Sequence, residues 1–296
     1  MPKRYDEFGL FAENAAEFGL PFDRPPAVSR QFVVADGDRA VSALRWGSGS
    51  PELVLLHGGA QNAHTWDTVC LALNRPLLAI DLPGHGHSAH RDDHAYWPRE
   101  NAAAIEIAMR ALAPDPRAVV GMSLGGLTAV ALAARAPDLV HALVLVDVTP
   151  GVDEKKASSI VQFINGPESF ASLDEILERT IAFNPTRSES SLRRGVMHNA
   201  IEQPDGRWRW RYDLPRMGEN SLPDWSSLWD DISAYPGPIT LVRGAESPVV
   251  SHADVAELER RRPDAVVEGV AGAGHSVQGD RPLELTRIIE TVLEPS

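Results

Sequence analysis

The sequence predicts an α/β fold in which a mostly parallel central sheet is flanked by helices and interrupted by an inserted cap (lid) segment. Short apolar runs alternate with helical patterns from residue 53 onward. Within each run, polar and apolar residues do not alternate, which is typical of strands buried on both faces of a parallel sheet. This rhythm stops after Pro150 and resumes at Pro238. We therefore expect an N-terminal helical extension over 1–29, a core domain over 30–149 and 236–296, and a cap over 150–235.

Before the first buried run, the chain predicts one helix and one pair of strands. Phenylalanine and alanine side chains recur at helical spacing over residues 5–20, with glutamates between them. We expect this amphipathic helix to pack on the core surface, with a dimer contact as the alternative. Residues 31–47 alternate in polarity around Asp36 and Gly37, which is a tight-turn signal between two strands.

The apolar runs that predict buried strands are LVLL (53–56), PLLAID (76–81), AVVGMS (118–123), ALVLVD (142–147), PITLVRG (238–244) and AVVEGV (265–270). The helical patterns around them cover 65–73, 99–112, 124–136 and 281–293. Between residues 150 and 238 the chain has helical pieces, prolines and the aromatic run RWRWRYD, but no buried strand is expected. An insertion of this length predicts a lid over the C-terminal edge of the sheet.

The composition is that of an ordinary globular protein. Of 296 residues, 43% are hydrophobic and 23% are charged, which suits one large catalytic domain or a core with an inserted subdomain. The formal net charge of −13 disfavours a nucleic-acid partner and an anionic membrane surface, because both attract basic faces.

The sequence also bears on the compartment. No run approaches the ~18 apolar residues of a membrane span, and the N-terminus lacks the apolar segment of a secretion signal. The single cysteine, Cys70, cannot form an intramolecular disulfide and is expected to be buried. We therefore expect a cytoplasmic protein, either a monomer or a homodimer.

The sharpest chemical signal is the G-x-S-x-G pentapeptide over residues 121–125, between a predicted strand and a predicted helix. In this context the serine occupies a strained turn that pushes its hydroxyl outward. A side chain at Gly121 or Gly125 would crowd the neighbouring backbone. Ser123 is therefore the candidate nucleophile, the alternative being a plain strand-to-helix turn.

Two backbone N–H groups are candidates for an oxyanion hole. The helix after Ser123 directs its N-terminus at the site, so the Leu124 N–H is one donor. The second is expected from the glycine-rich turn His57-Gly58-Gly59 that follows the first buried strand, with Gly59 as the donor. His57 itself is interpreted as structural, with a general base as the alternative.

The candidate general base is His275. It lies in the glycine-rich segment GAGHS, directly after the last predicted strand. A loop of this kind can present an imidazole to the serine, and a base near the C-terminus agrees with a triad in the order Ser, acid, His. The alternative is a surface loop histidine.

Together these motifs resemble the α/β-hydrolase family. HGG, DLPGHGHS, GMSLGG, LVLVDVTP and GAGHS occur in the family's order over about residues 30–296. More narrowly, HGGAQNAHTWDTV, GMSLGGLTA and GHSVQGDRP are similar to a group of actinobacterial carboxylesterases. The resemblance implies the α/β-hydrolase fold with a mobile cap, and ester hydrolysis without a cofactor.

The acid of the triad is where the sequence departs from the family. The usual aspartate stands three residues past the glycine that ends the strand at 238–244, and Ser247 occupies that place here. Asp147, at the end of LVLVD, is the preferred candidate because parts of the family carry the acid there. Glu246, one residue from the usual position, is the alternative acid, and Asp254 is a third candidate.

Further residues are candidates for contact with the substrate. His64 follows the expected oxyanion loop, and Trp208 and Tyr212 belong to the aromatic run of the cap. We expect them to line the pocket, with simple cap packing as the alternative for the aromatic pair. The histidines between 85 and 94 match no compact zinc spacing, so no metal is expected.

The sequence thus predicts a serine hydrolase that cleaves carboxylic esters of small to medium acyl chains, with a small-molecule ester as its partner and no cofactor. Other hydrolases on the same triad stay open, namely a lactonase, an amidase or a carbon–carbon bond hydrolase. So do an acyltransferase and a ligand-binding protein with slow turnover.

Overall fold

The computed structural model of the chain describes residues 5–185, 187–213 and 224–294. Its strands are β1 (Val28–Asp36), β2 (Arg39–Trp46), β3 (Leu53–Leu56), β4 (Leu77–Ile80), β5 (Ala118–Met122), β6 (Leu143–Val146), β7 (Ala200–Glu202), β8 (Trp208–Trp210), β9 (Ile239–Gly244) and β10 (Val266–Val270). Eight of them form one sheet in the order β1-β2-β4-β3-β5-β6-β9-β10, and β7 pairs separately with β8.

The helices are α1 (Phe11–Glu17), α2 (Asp67–Leu73), α3 (Pro98–Leu112), α4 (Leu124–Arg135), α5 (Glu154–Ile164), α6 (Leu173–Phe183), α7 (Glu189–Asn199), α8 (Leu228–Ala234), α9 (His252–Arg261), α10 (Val277–Asp280) and α11 (Pro282–Leu293). Short 3₁₀ turns cover Ala63–Trp66 and Pro137–Leu139. None of the helices in the described ranges combines the length and the apolar character needed to cross a bilayer.

The main sheet is mostly parallel, which confirms the predicted fold class. β2 alone runs antiparallel to its neighbours β1 and β4, and the remaining pairs are parallel. Every residue of β3 to β6 is buried. Helices cover both faces of these strands, and this is why the strands appear in the sequence as unbroken apolar runs.

Successive side chains of β3 enter two different core clusters. Val54 and Leu56 pack with residues of α3, α4, α8 and α9, whereas Leu53 and Leu55 pack with residues of α1, α2 and α11. The C-terminal ends of the parallel strands lie at one edge of the sheet, between the two layers of helices. The loops after β3, β5, β6 and β9 meet at this edge.

The N-terminal region follows the predicted pattern, with a shorter helix. α1 covers only Phe11–Glu17, and Gly19 takes a φ of +64° shortly after it, which ends the helix. Phe11 is buried and lies 4.8 Å from Trp46 between ring centroids. The next element is the antiparallel hairpin of β1 and β2, whose turn contains Gly37 at a φ of +61°.

The inserted segment between β6 and β9 contains α5, α6, α7 and the β7–β8 hairpin. The aromatic run at 207–213 supplies β8, which pairs with β7 in a short antiparallel hairpin. α8 packs on the core, because its side chains Leu228, Trp229 and Ile232 are buried in the main core beside α4. It does so although it lies within the expected cap range of 150–235. Residues 214–223 of the expected cap lie outside the described residues.

Candidate active site

Ser123 lies in a sharp turn between β5 and α4. Its φ of 51° and ψ of −120° lie where L-residues are rarely found. A Cβ on Gly121 would be 2.5 Å from the Gly125 carbonyl oxygen, and a Cβ on Gly125 would be 2.3 Å from the Leu56 carbonyl oxygen. Both positions therefore require glycine, because this turn packs directly against the backbone at the end of β3.

A cavity of about 650 Å³ opens around Ser123, between the sheet edge and the cap. His275 and Gly59 also border it. The cap contributes an apolar wall from α5, α6 and β8, which includes Ile160, Phe163, Ile164, Phe183 and Trp210. A cavity of this size and lining suits a small, partly apolar ligand.

In the loop after β3, the Gly59 N–H lies between two N–H groups that already have acceptors. The Gly58 N–H donates to Gln61 Oε1 at 3.2 Å. The Ala60 N–H donates to His85 Nε2 at 3.1 Å. Between them, the Gly59 N–H has no hydrogen-bond acceptor among the described residues. This donor borders the cavity, as the oxyanion-hole hypothesis requires.

Leu124 is the first residue of α4, directly after Ser123. The first N–H groups of a helix have no acceptor within the helix, and its N-terminal end carries a partial positive charge. The Leu124 N–H is therefore available beside the serine, where a tetrahedral oxyanion would form.

His57 holds the backbone and is not free to act as a base. Its Nε2 accepts the Leu82 N–H at 2.9 Å, and its Nδ1 lies 2.7 Å from the Gly58 carbonyl oxygen. The ring is fully buried, and burial lowers its pKa, so both nitrogens of a neutral imidazole are used. It joins the end of β3 to the loop after β4.

Two contacts from other elements hold the oxyanion loop. Asn199, at the end of the cap helix α7, donates from Nδ2 to the Ala60 carbonyl oxygen at 2.7 Å. Gln278 on α10 donates from Nε2 to Gln61 Oε1 at 3.3 Å and to Thr65 Oγ1 at 3.2 Å. The cap, through Asn199, and α10, through Gln278, therefore both contact the segment around Gly59.

His275 is bonded to an aspartate on one side and faces the cavity on the other. Its Nδ1 lies 2.8 Å from Asp147 Oδ2. Its Nε2 has no hydrogen-bond partner among the described residues. Since the carboxylate accepts the Nδ1–H, Nε2 is left as the nitrogen that can accept a proton, and His275 borders the same cavity as Ser123.

Asp147 is the acid that reaches this histidine. It is fully buried at the end of β6, with a φ of +49°. The Gly244 N–H donates to its Oδ1 at 2.9 Å, and the Ser247 hydroxyl donates to its Oδ2 at 2.5 Å. These two donors, both from the segment that follows β9 or ends it, hold the side chain in place beside His275.

The other two candidate acids lie elsewhere. Glu246 is exposed, and its side chain has no contact with His275. Asp254 forms the capping box of α9 with Ser251 and pairs with Lys156 Nζ at 2.8 Å. Their surroundings explain both side chains without a catalytic role.

Of the two cap residues expected to contact the substrate, Tyr212 borders the cavity and Trp208 does not. Tyr212 is buried and borders the cavity, and its hydroxyl has no partner among the described residues. Burial raises its pKa, so the hydroxyl stays protonated. Trp208 does not border this cavity, because it packs instead against the cap cluster around Phe170 and Ile176.

His64 borders the cavity but uses both ring nitrogens in a buried charge network. Its Nδ1 lies 2.9 Å from Asp67, and its Nε2 lies 3.2 Å from Glu7. Burial lowers its pKa, but the Asp67 charge and the two hydrogen bonds outweigh burial and raise the pKa to about 9. Arg30 bridges Glu7 and Asp81, so the network continues under the sheet edge.

The same region brings His64, Asp67 and His198 within 4.8 Å of one another. The two imidazole rings stack at 3.8 Å with an interplanar angle of 7°. The lone pairs of an imidazole lie in its ring plane, so two parallel rings cannot both direct them at one ion. This stack therefore does not present a ligand set for a single metal.

Comparison with known proteins decides the family. A family model described as the alpha/beta hydrolase family matches residues 53–288. The chain belongs to this family. The matched range begins at β3, ends within α11 and includes Ser123, Asp147 and His275.

Individual α/β hydrolases are similar along nearly the whole chain. Esterase Rv0045c of Mycobacterium tuberculosis is 49% identical, over 98% of this chain and 96% of that protein. A solved structure of that esterase has a TM-score of 0.88 and covers 98% of this chain and 99% of its own. The sn-1-specific diacylglycerol lipase ABHD11 of Xenopus laevis is 30% identical over 82% of this chain and 80% of its own.

Some residues around this α/β-hydrolase site had no local signal in the sequence. Ser247 is recognisable only as a serine where the family usually has an aspartate. Glu7 bonds His64 from a distant part of the chain, and Arg30 pairs with Glu7 in turn. A short motif cannot reveal such contacts, because they depend on how the N-terminal segment packs on the core.

Proposed function

We propose that the protein is a serine esterase that hydrolyses carboxylic esters of small to medium acyl chains through Ser123, His275 and Asp147. The observation that carries the proposal is His275, which pairs with the buried Asp147 at 2.8 Å, has an unpartnered Nε2 among the described residues and borders the same cavity as Ser123. The name of the 49% identical relative, an esterase, supports the same activity.

In the first half of the proposed reaction, His275 Nε2 takes the hydroxyl proton of Ser123, and the serine oxygen attacks the ester carbonyl carbon. The carbonyl oxygen becomes an oxyanion, which the Gly59 and Leu124 N–H groups bind. The intermediate then collapses, and His275 gives its proton to the leaving alcohol. An acyl-enzyme on Ser123 remains.

In the second half, a water molecule attacks the acyl-enzyme while His275 takes one of its protons. The second tetrahedral intermediate collapses, the proton returns to Ser123 and the carboxylic acid leaves. Throughout, Asp147 holds His275 in the tautomer with hydrogen on Nδ1 and stabilises the imidazolium that forms at each step.

The proposed substrate has an apolar acyl chain of limited length. Phe163 and Phe183 contact each other at 4.5 Å between ring centroids in the cap wall, where an acyl chain would lie. The free hydroxyl of Tyr212 offers a hydrogen bond to an oxygen of the substrate. We further propose a cytoplasmic enzyme, because a chain with one cysteine does not depend on an oxidising compartment.

The test is hydrolysis of p-nitrophenyl esters from acetate to palmitate by the wild type and by Ser123→Ala. We expect wild-type turnover that is highest at short to medium chains and absent in Ser123→Ala. Ser158→Ala, which alters an exposed serine of α5, is the control and should keep wild-type turnover. Turnover that survives in Ser123→Ala would contradict the assignment of the nucleophile.

A further inference from the structure

Ser247 lies next to the proposed acid of the triad. It is buried three residues after the end of β9, and its hydroxyl is 2.5 Å from Asp147 Oδ2. This is the same carboxylate oxygen that lies 2.8 Å from His275 Nδ1. The serine that follows β9 and the aspartate that follows β6 therefore meet beside the histidine.

The hydrogen bonds determine which group donates. The Val249 N–H lies 3.1 Å from Ser247 Oγ, so the serine oxygen accepts there. The single hydrogen of Ser247 is then left for Asp147, which as a carboxylate can only accept. The buried carboxylate thus has three donors: Ser247 and His275 on Oδ2, and the Gly244 N–H on Oδ1.

We propose that Ser247 is a positioning residue that aims the Asp147 carboxylate at His275, and that the two positions can exchange roles. An aspartate at position 247 would orient the histidine if a serine stood at position 147. The proposal rests on the function proposed above, because it concerns the acid of the same triad.

The surroundings favour this exchange. A carboxylate at position 247 would extend from the present place of the Ser247 hydroxyl toward the space that the Asp147 side chain vacates. The Val249 N–H and the new hydroxyl at position 147 would both donate to it. The reciprocal exchange also conserves the atoms and the charge of the buried site, so it avoids the cost of two neighbouring carboxylates.

The first experiment compares Ser247→Ala with Ser251→Ala. Ser251 is a matched control, because its hydroxyl also bonds a carboxylate, that of Asp254 at 2.6 Å, away from His275. A hydrogen bond to a charged group predicts a fall in kcat of about 10-fold to 100-fold for Ser247→Ala, with KM unchanged. Equal kcat values in the two variants would overturn the positioning role.

The second experiment is the exchange itself. Asp147→Ser alone should lose up to ~10⁴-fold in kcat, as expected for a triad without its acid. The double variant Asp147→Ser with Ser247→Asp should regain at least about 10-fold of that loss. Such a rescue would show that a carboxylate at position 247 can orient His275. A folded double variant no faster than Asp147→Ser would overturn the exchange.

In both experiments, we would also measure the rate at which a fluorophosphonate probe labels Ser123. This reaction needs an activated serine but no ester substrate. If the wild type is labelled but hydrolyses no ester, the proposed function fails while the role of Ser247 is still decided by the labelling rates. If Ser247→Ala and Ser251→Ala are labelled equally fast, the positioning role fails while the esterase proposal stands.

Discussion

Between about pH 6 and pH 9.5, the wild type should lose more folding free energy than a variant in which glutamine replaces His64. His64 is buried between the carboxylates of Asp67, at 2.9 Å, and Glu7, at 3.2 Å. Burial disfavours its charged form, but the two carboxylates outweigh burial and raise its pKa from 6.5 to about 9. The folded protein therefore binds a proton that the unfolded chain releases.

This difference in proton binding sets the size of the effect. A rise in pKa from 6.5 to about 9 corresponds to about 3 kcal/mol of folding free energy, at ~1.4 kcal/mol per pKa unit. Because the folded pKa of His64 is the higher one, this stabilisation is fully present below about pH 6.5. It is lost as the pH rises through about 9.

Urea unfolding of the wild type and of His64→Gln, at about pH 6 and pH 9.5, measures this directly. The wild type should lose about 3 kcal/mol more than His64→Gln over this interval. His141→Gln is the control, because His141 pairs with Asp115 at 2.8 Å on the surface, where such pairs contribute little. It should lose as much as the wild type.

Equal losses of folding free energy in the wild type and His64→Gln would refute the reasoning.

The same variant also separates two roles for His64. If His64 only serves the network, the KM for esters at pH 7 stays near the wild-type value. If it binds the substrate, as the sequence suggests, KM rises even where the protein is fully folded.

Two further predictions concern the acid and the cap. Asp147→Asn should lower kcat by up to ~10⁴ while Glu246→Gln stays within about twofold, measured by ester turnover; the reverse order would make Glu246 the acid. Glu17→Gln should lower the unfolding free energy by about 1–3 kcal/mol, because it leaves the buried Arg194 without its ion-pair partner. Glu13→Gln, whose arginine partner is partly exposed, should cost less than ~1 kcal/mol in the same denaturation assay.

Much of the fold could be predicted from the sequence because its signals are local. A strand buried on both faces must be apolar along its whole length, so β3 to β6 appear as unbroken runs. The tight turn around Ser123 requires glycine at positions 121 and 125, and these two glycines stand on either side of the serine in the sequence. Such requirements fall on residues that are neighbours in the chain, so a pattern in the sequence can reveal them.

The choice of the acid could not be settled in this way. Asp147 and Glu246 are both carboxylates near the ends of neighbouring strands, and the sequence alone leaves them as alternatives. Only the packing of β6 beside β9 shows that Asp147 is buried and bonded to His275, whereas Glu246 is exposed. The difference lies in burial and direction, which no local pattern records.

By itself, the sequence determined the layered α/β architecture, the turn that carries Ser123 and the loop that carries His275, because each depends on neighbouring residues. The tertiary structure alone decided the partners of those residues. It joined Ser247 to Asp147, and it enclosed His64 between Asp67 and Glu7. The physical reason is that hydrogen bonds and charge pairs depend on distance in space, and folding brings together residues as far apart in the chain as Gln61 and Gln278.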